Sequence, residues 1–252
     1  MSFDIVIPLG PNEISKFNEQ LIYTRKNVIG YRNIYIVTSN LNIQYDGCII
    51  IDENVFPFKD LISNYFAQHN GKNNRNGWYF QQLIKLYAGV FITDLLENYL
   101  IIDADVFFLK PTHFIENNKF IFSTGDEEHR PYFEHMTRLD NTFKKYHSKS
   151  GICHHMLFNK KYINEIFSIV EKNKNEPFWK VFIYSVNEHL KYNADIIESG
   201  ASEYELYFNY MYHYHKDNII IRNLKWNNIS KNNFKSHSYN DNDFVSICAW
   251  MG

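Results

Sequence analysis

Two aspartates one residue apart, Asp103 and Asp105, sit between two apolar runs in the stretch Tyr99 to Pro111. Leu100, Ile101 and Ile102 precede them, and Val106, Phe107, Phe108 and Leu109 follow. The first run is short and β-rich, which predicts a buried central strand rather than a helix. Alternate side chains of an extended chain share a side, so both carboxylates are expected to point the same way. Two acids held together against a hydrophobic sheet repel one another and lose hydration, and without a partner one of them takes up a proton. A divalent cation resolves the conflict. Hard oxygen ligands suit Mn²⁺ or Mg²⁺, and Mg²⁺ draws its remaining ligands from water and substrate phosphates. Asp103 and Asp105 therefore read as the ligands of a metal–diphosphate site. The plain alternative is a surface turn with two solvated acids, and the flanking hydrophobic residues count against it.

The segment Leu-Ile-Ile-Asp-Ala-Asp-Val-Phe-Phe-Leu-Lys-Pro, residues 100–111, resembles the DxD segment of nucleotide-sugar-dependent glycosyltransferases of the GT-A fold. Gly77–Leu86, Ser150–Asn159 and Ser199–Tyr210 resemble parts of one group of such enzymes from bacteria and large DNA viruses. By the order of elements the resemblance runs from about Phe3 to Tyr210. It implies an α/β GT-A (Rossmann-like) domain with a central, mostly parallel sheet flanked by helices. It also implies a sugar donor linked to a nucleotide diphosphate (UDP or GDP), a glycan or glycoconjugate acceptor, and Mn²⁺ or Mg²⁺ as cofactor. Ala104, between the two acids, would lie with Asp103 against the donor.

Other residues acquire candidate roles around this centre. Pro8, Leu9 and Gly10 end the first strand, where a base and ribose could rest in an open α/β sheet, or where the chain simply turns into a helix. Trp78–Ala88 has Tyr79, Leu83, Leu86 and Tyr87 at helical spacing, with Gln81, Gln82 and Lys85 on one face. The resemblance sets this helix beside the donor, making Lys85 a candidate for the diphosphate or sugar and Gln82 a hydrogen-bonding candidate; otherwise the face is merely solvated. Within Ser150–Asn159, His154 and His155 should face opposite ways on a strand, one toward substrate and one packed. Ser202 and Glu205 form a capping box ahead of Leu206–Tyr214, giving Glu205 a structural duty. Glu203 is expected to project outward from the helix start, free to act as the base of an inverting enzyme, with Glu205 as the second candidate. His237 is the one C-terminal histidine available as a further metal ligand.

The elements that must position these groups are legible in outline. Phe3–Leu9, Asn33–Ser39 and Gly47–Asp52 read as strands and Ile14–Val28 as a helix, an alternation that argues for a Rossmann-like sheet. Asn64–Gly77 is polar and reads as an exposed loop, a candidate lid over the donor. Beyond the acids, His113–Asn118 reads as a short helix or turn, Phe120–Ser123 as a strand, and Lys161–Glu171 and Pro177–Lys191 as helices. Asn218–Ile221 and Phe244–Trp250 read as late strands, with a polar stretch, Trp226–Tyr239, between them. Nothing divides the chain, so one domain is expected over residues 1–252.

Composition excludes other classes. Hydrophobic residues make up 45% of the 252 and aromatic residues 17%, ample for a substantial core. A formal charge of −2 with no basic block gives no support for nucleic-acid binding. Cys48, Cys153 and Cys248 are odd in number and widely spaced, so neither a disulfide framework nor a zinc site is expected. With no leader or membrane-spanning apolar run, a soluble cytoplasmic protein is expected. Two other readings compete. A phosphatase-like hydrolase would carry its Asp-x-Asp on an early strand with Thr where Phe107 stands. A carbohydrate-binding or assembly protein could keep the fold without turnover.

Overall fold

The computed structural model describes residues 1–70, 75–186, 199–230, 239 and 241–248. β1 (Phe3–Pro8) is buried along its whole length and passes through Gly10 into α1 (Ile14–Asn27). A short β2 (Val28–Ile29) precedes β3 (Tyr31–Thr38) and β4 (Cys48–Asp52). Next come α2 (Lys59–Asn70), α3 (Asn76–Phe91), β5 (Asn98–Ile102) and β6 (Val106–Phe108). β7 (Thr112–His113), β8 (Ile115–Glu116) and β9 (Lys119–Ser123) lead to α4 (Arg130–Leu139). β10 (His155–Asn159) is followed by α5 (Lys160–Lys174), α6 (Phe178–Val186) and α7 (Glu203–Tyr214). β11 (Ile219–Arg222), β12 (Trp226–Ser230) and β13 (Phe244–Cys248) are the last strands described.

The main sheet has the order β10-β5-β1-β3-β4. β1 is parallel to both β3 and β5, β4 is parallel to β3, and only β10 runs antiparallel. The chain therefore leaves β1 toward β3 and β4, then returns to its other side as β5. That reversal opens a crevice beyond the carboxyl ends of β1 and β5, the place where open α/β sheets bind ligands. Residues Gly10 and Asp103 to Asp105 follow those two ends directly.

Burial explains the apolar runs. Every residue of β5 is buried, and Tyr79, Tyr99, Tyr207 and Phe158 are among the largest side chains wholly removed from solvent. Tyr hydroxyls in this core still find partners: Tyr79 accepts from Gly200 N at 3.0 Å and Tyr207 from Asn159 N at 3.0 Å. A second, smaller core of Phe107, Ile229, Val245 and Ile247 lies where β12 and β13 meet β6.

Two expectations need correction, and one polar stretch left unassigned by its pattern takes shape. Asn64–Asn70 is not a loop but the second half of α2, whose Ile62 and Phe66 are buried one helical turn apart; the apolar spacing outweighs the polar composition. Asn76–Gly77, at the other end of the expected loop, open α3; positions 71–74 lie outside the described residues, as do 187–191 of the Pro177–Lys191 helix and 249–250 of the last strand. Of the stretch expected as a short helix or turn, Asn117–Asn118 do turn, but His113 ends β7 and Ile115–Glu116 form β8, because β2 and β9 supply their strand partners. Trp226–Ser230 is a strand despite its polar sequence, since β13 pairs along its length.

Candidate active site

The two acids do not lie in an extended chain. Asp103 follows the last residue of β5, and Val106 N donates to Asp103 O at 3.1 Å, closing a turn over residues 103–106. Two further bonds fix that turn from outside. Asp103 N donates to His154 O at 2.9 Å, and Ile247 N in β13 donates to Asp105 O at 2.9 Å. The carboxylates share a side because of this turn, not because strand residues alternate.

Antiparallel β10 sets His155 opposite Ile102, so His154 lands beside Asp103. His154 has φ of 62°, a left-handed conformation uncommon outside glycine. Its Nδ1 lies 3.4 Å from Asp103 Oδ2. Asp103, Asp105 and His154 each offer one ligand atom, all within 4.8 Å of one another. His155 packs instead among the rings of Phe108, Phe114 and Phe244. Burial, reinforced by Arg222, pushes its pKa down to about 3. One histidine thus faces the acids and one packs, but the cause is the left-handed turn at His154 just ahead of β10 rather than alternation along a strand; His155 is buried.

Charge is arranged in a tight cluster. Lys85 of α3 bonds Asp103 Oδ1 at 2.6 Å and Glu203 Oε1 at 2.7 Å. Tyr204 Oη also donates to Asp103 Oδ1, at 2.9 Å, and its ring lies 4.4 Å under the Lys85 ammonium. Burial works against the charge on Lys85, but the two carboxylates outweigh it and raise its pKa. Burial likewise works against the Asp103 carboxylate, and Lys85 with His154 outweighs it, holding its pKa well below the ordinary range. Asp105 is the opposite case. Burial, with Asp103 and Glu13 adding repulsion against the pull of His154, raises it to about 6. Its Oδ1 is buried with no hydrogen-bond partner.

That orphaned oxygen, a second carboxylate and an imidazole form a donor set that fits a small divalent cation. Carboxylates suit Mg²⁺ and Mn²⁺, and the imidazole tilts the set toward a transition metal. The sequence reading had His154 as a substrate contact; its place in the donor set becomes visible only through the β10–β5 register. His237, offered for that part, lies outside the described residues.

Two clefts flank the acid turn. One, of about 280 Å³, is lined by Asn12, Glu13 and Lys16 with Ala104, Asp105 and Phe107. Pro8 and Leu9 are buried, and Leu9 N bonds Val37 O at 2.8 Å, so neither lines this cleft; Gly10 faces Glu13 at its edge. Asn12 and Glu13, just before α1, and Lys16 in its first turn line this cleft in place of the strand end. The other cleft, of about 320 Å³, has Lys85, Asp103, His154 and Glu203 on its wall and Trp78 and Tyr132 further out.

Glu203 does not project outward. It is 3% exposed and held by Lys85, and burial raises its pKa against the pull of that cation. Glu205 is wholly buried. Ser202 Oγ accepts from Glu205 N at 3.2 Å, the first half of a capping box, but the Glu205 carboxylate turns instead to Ser150 Oγ at 2.5 Å and Asn209 Nδ2 at 2.9 Å. Gln82 is buried and donates to Ala201 O at 3.2 Å, tying α3 to the start of α7, and Gln81 takes the cleft wall.

The model of a family of unknown function, DUF6492, matches residues 30–243. The chain belongs to that family. No match is found among curated protein sequences. Among solved structures, mouse xyloside xylosyltransferase 1 in its apo form has a TM-score of 0.50 and 11% identity, over 100% of this chain and 99% of its own. That likeness shows that this DUF6492 chain has the GT-A glycosyltransferase fold, an α/β arrangement with a mostly parallel sheet flanked by helices. The galactosyltransferase LgtC, in complex with donor and acceptor sugar analogues, gives a TM-score of 0.44 and 13% identity, over 99% of this chain and 87% of its own. Among the described residues no helix is long and apolar enough to cross a membrane.

Proposed function

We propose that this chain is a metal-dependent glycosyltransferase that moves a sugar from a nucleotide-diphosphate donor to a hydroxyl of a glycan or glycoconjugate. One observation carries the reading: Asp103, Asp105 and His154 converge between two clefts at the carboxyl ends of β1 and β5, with an oxygen of Asp105 left unpartnered. These three residues would hold Mn²⁺ in preference to Mg²⁺. The chemistry a bound cation supplies is neutralisation of charge on the leaving diphosphate. The cleft along α1 takes the nucleotide, UDP or GDP. The cleft along α3 and α7 takes the sugar and acceptor, where the stacked rings of Trp78 and Tyr132, 6.5 Å apart, suit the apolar face of a hexose.

Lys85 spends two of its three N–H donors on Asp103 and Glu203, leaving one for diphosphate or sugar. Glu203 gives Oε1 to Lys85 and keeps Oε2 for the acceptor proton; its raised pKa makes it a stronger base, in a reaction that inverts the anomeric centre. Glu205 holds the Ser150–Gly151 loop to α7 and takes no part in chemistry. The thiols of Cys48 and Cys153 are free, which supports a reducing, cytoplasmic setting.

The test is donor turnover over a panel of nucleotide sugars with and without Mn²⁺, with the product anomer read by NMR. Turnover of one donor that needs Mn²⁺ and is lost in Asp103→Ala and Asp105→Ala is expected. Turnover indifferent to metal would overturn the reading, and a retained anomeric configuration would remove Glu203 as the base.

A further inference from the structure

The charge cluster behind the acid turn does more than hold charge. An ionised carboxylate has four lone-pair sites, two on each oxygen. On Asp103, Lys85 Nζ at 2.6 Å and Tyr204 Oη at 2.9 Å both fall on Oδ1 and fill it. Lys85 is itself fixed by Glu203 at 2.7 Å, and Tyr204 is fixed by its place in the first turn of α7 next to that glutamate. Oδ2 is the oxygen that faces His154, at 3.4 Å. Asp103 can therefore offer a cation one oxygen and not two.

We infer that Lys85 and Tyr204 are positioning residues that lock Asp103 as a one-oxygen ligand and so make the site discriminate against Ca²⁺. This rests on the metal reading of the same residues given above. Calcium takes six to eight oxygens and commonly draws two from one carboxylate, whereas Mg²⁺-like cations want six ligands in near-ideal octahedral positions. A site whose donors are one oxygen of Asp103, the orphaned Oδ1 of Asp105 and the Nδ1 of His154 suits the smaller ion. The imidazole adds preference for Mn²⁺. The lock belongs to α3 and α7, so cation choice is set by elements that never touch the cation.

The experiment measures dissociation constants for Mn²⁺, by the EPR signal of the free ion, and for Ca²⁺, by competition, in the full chain. Tyr204→Phe removes one hydrogen bond from Oδ1 and keeps the buried ion pair, so it decides the question even if Lys85→Met does not fold. The ratio of the Ca²⁺ constant to the Mn²⁺ constant should fall about 10-fold in Tyr204→Phe, in the range typical of groups behind metal ligands, and at least as far in Lys85→Met. An unchanged ratio in Tyr204→Phe overturns the inference, whether its Mn²⁺ affinity is intact or both ions bind equally more weakly. Wild-type protein that binds neither ion takes down the metal reading itself, an outcome distinct from an unchanged ratio.

Discussion

Asp105 keeps a buried oxygen with nothing to bond it, and the consequence is readable in pH. Its pKa stands at about 6 in the folded chain, so between about 4 and about 6 the native state binds more protons than the unfolded one. Stability from this group is present at low pH and lost as pH rises through about 6. In metal-free protein, Asp105→Asn should flatten that part of a melting-temperature profile, measured by calorimetry from pH 4 to 8. A cation must displace this proton, and any on His154, whose pKa is raised as Asp103 outweighs the burial that opposes its charge. Mn²⁺ affinity should therefore climb with pH through about 6 as Asp105 loses its proton, and keep climbing through the range where His154 loses its own; a profile with no rise near 6 in titration calorimetry would remove Asp105 from the donor set. Lys85→Ala is a harsher change at the same centre. It strands Asp103 and Glu203 with no counter-charge and should cost about 3–5 kcal/mol in denaturant unfolding, unless both acids take up protons.

At the scale of elements, α7 carries two glutamates in different settings: Glu203 pairs with Lys85 on a cleft wall, and Glu205 is wholly buried. Glu205 anchors the helix start to the loop before β10 through Ser150, and Gly151 passes so close that an added Cβ would meet Phe208 Cβ at 2.4 Å. Glu205→Ala leaves Ser150 Oγ and Asn209 without their buried acceptor and should destabilise by about 1–3 kcal/mol. Glu203→Gln should keep the fold and nucleotide affinity but lose about 10²–10⁴ in transfer rate. A single set of melts and initial rates on the two variants checks both, and the opposite pattern would exchange their roles.

The same helix shows what a sequence can and cannot disclose. The strand before Asp103, the helix at Lys85 and the Ser202 cap follow from local periodicity and capping chemistry, and the structure has them. The paired acids also followed from residue type. The reach of Lys85 to Glu203, the place of His154 and the pairing of polar β12 did not. Lys85 and Glu203 are 118 residues apart, His154 turns on a single left-handed backbone angle, and β12 is a strand only because Phe244–Cys248 pairs along it; local patterns encode none of these. Glu205 misled for a related reason: a Ser-x-x-Glu spacing signals a cap, but Ser150 and Asn209 compete for the carboxylate.

For the molecule as a whole, the proposed cation site lies between two clefts, among α1, α3, α7 and the ends of β1 and β5, so that binding there and stability become one quantity. At a Mn²⁺ concentration a hundred times its dissociation constant, the fold should gain about 2.7 kcal/mol. For a chain of this size that is roughly 5–11 °C in melting temperature, absent in Asp105→Asn, and a thermal shift assay reads it directly. The hydrogen bond from Ile247 to Asp105 carries a different implication, one about time. β13 pairs with β6 across a long span of sequence, Phe244 against Phe108, and contacts between distant segments form late. A chain emerging from the ribosome makes β1, β5 and both aspartates well before it makes Ile247. In refolding from denaturant, Mn²⁺ binding should recover with the slowest phase of the intrinsic fluorescence and never ahead of it. The carboxylates are present early in the life of the chain, and the turn that pairs them is fully fixed from outside only when its late strand comes home.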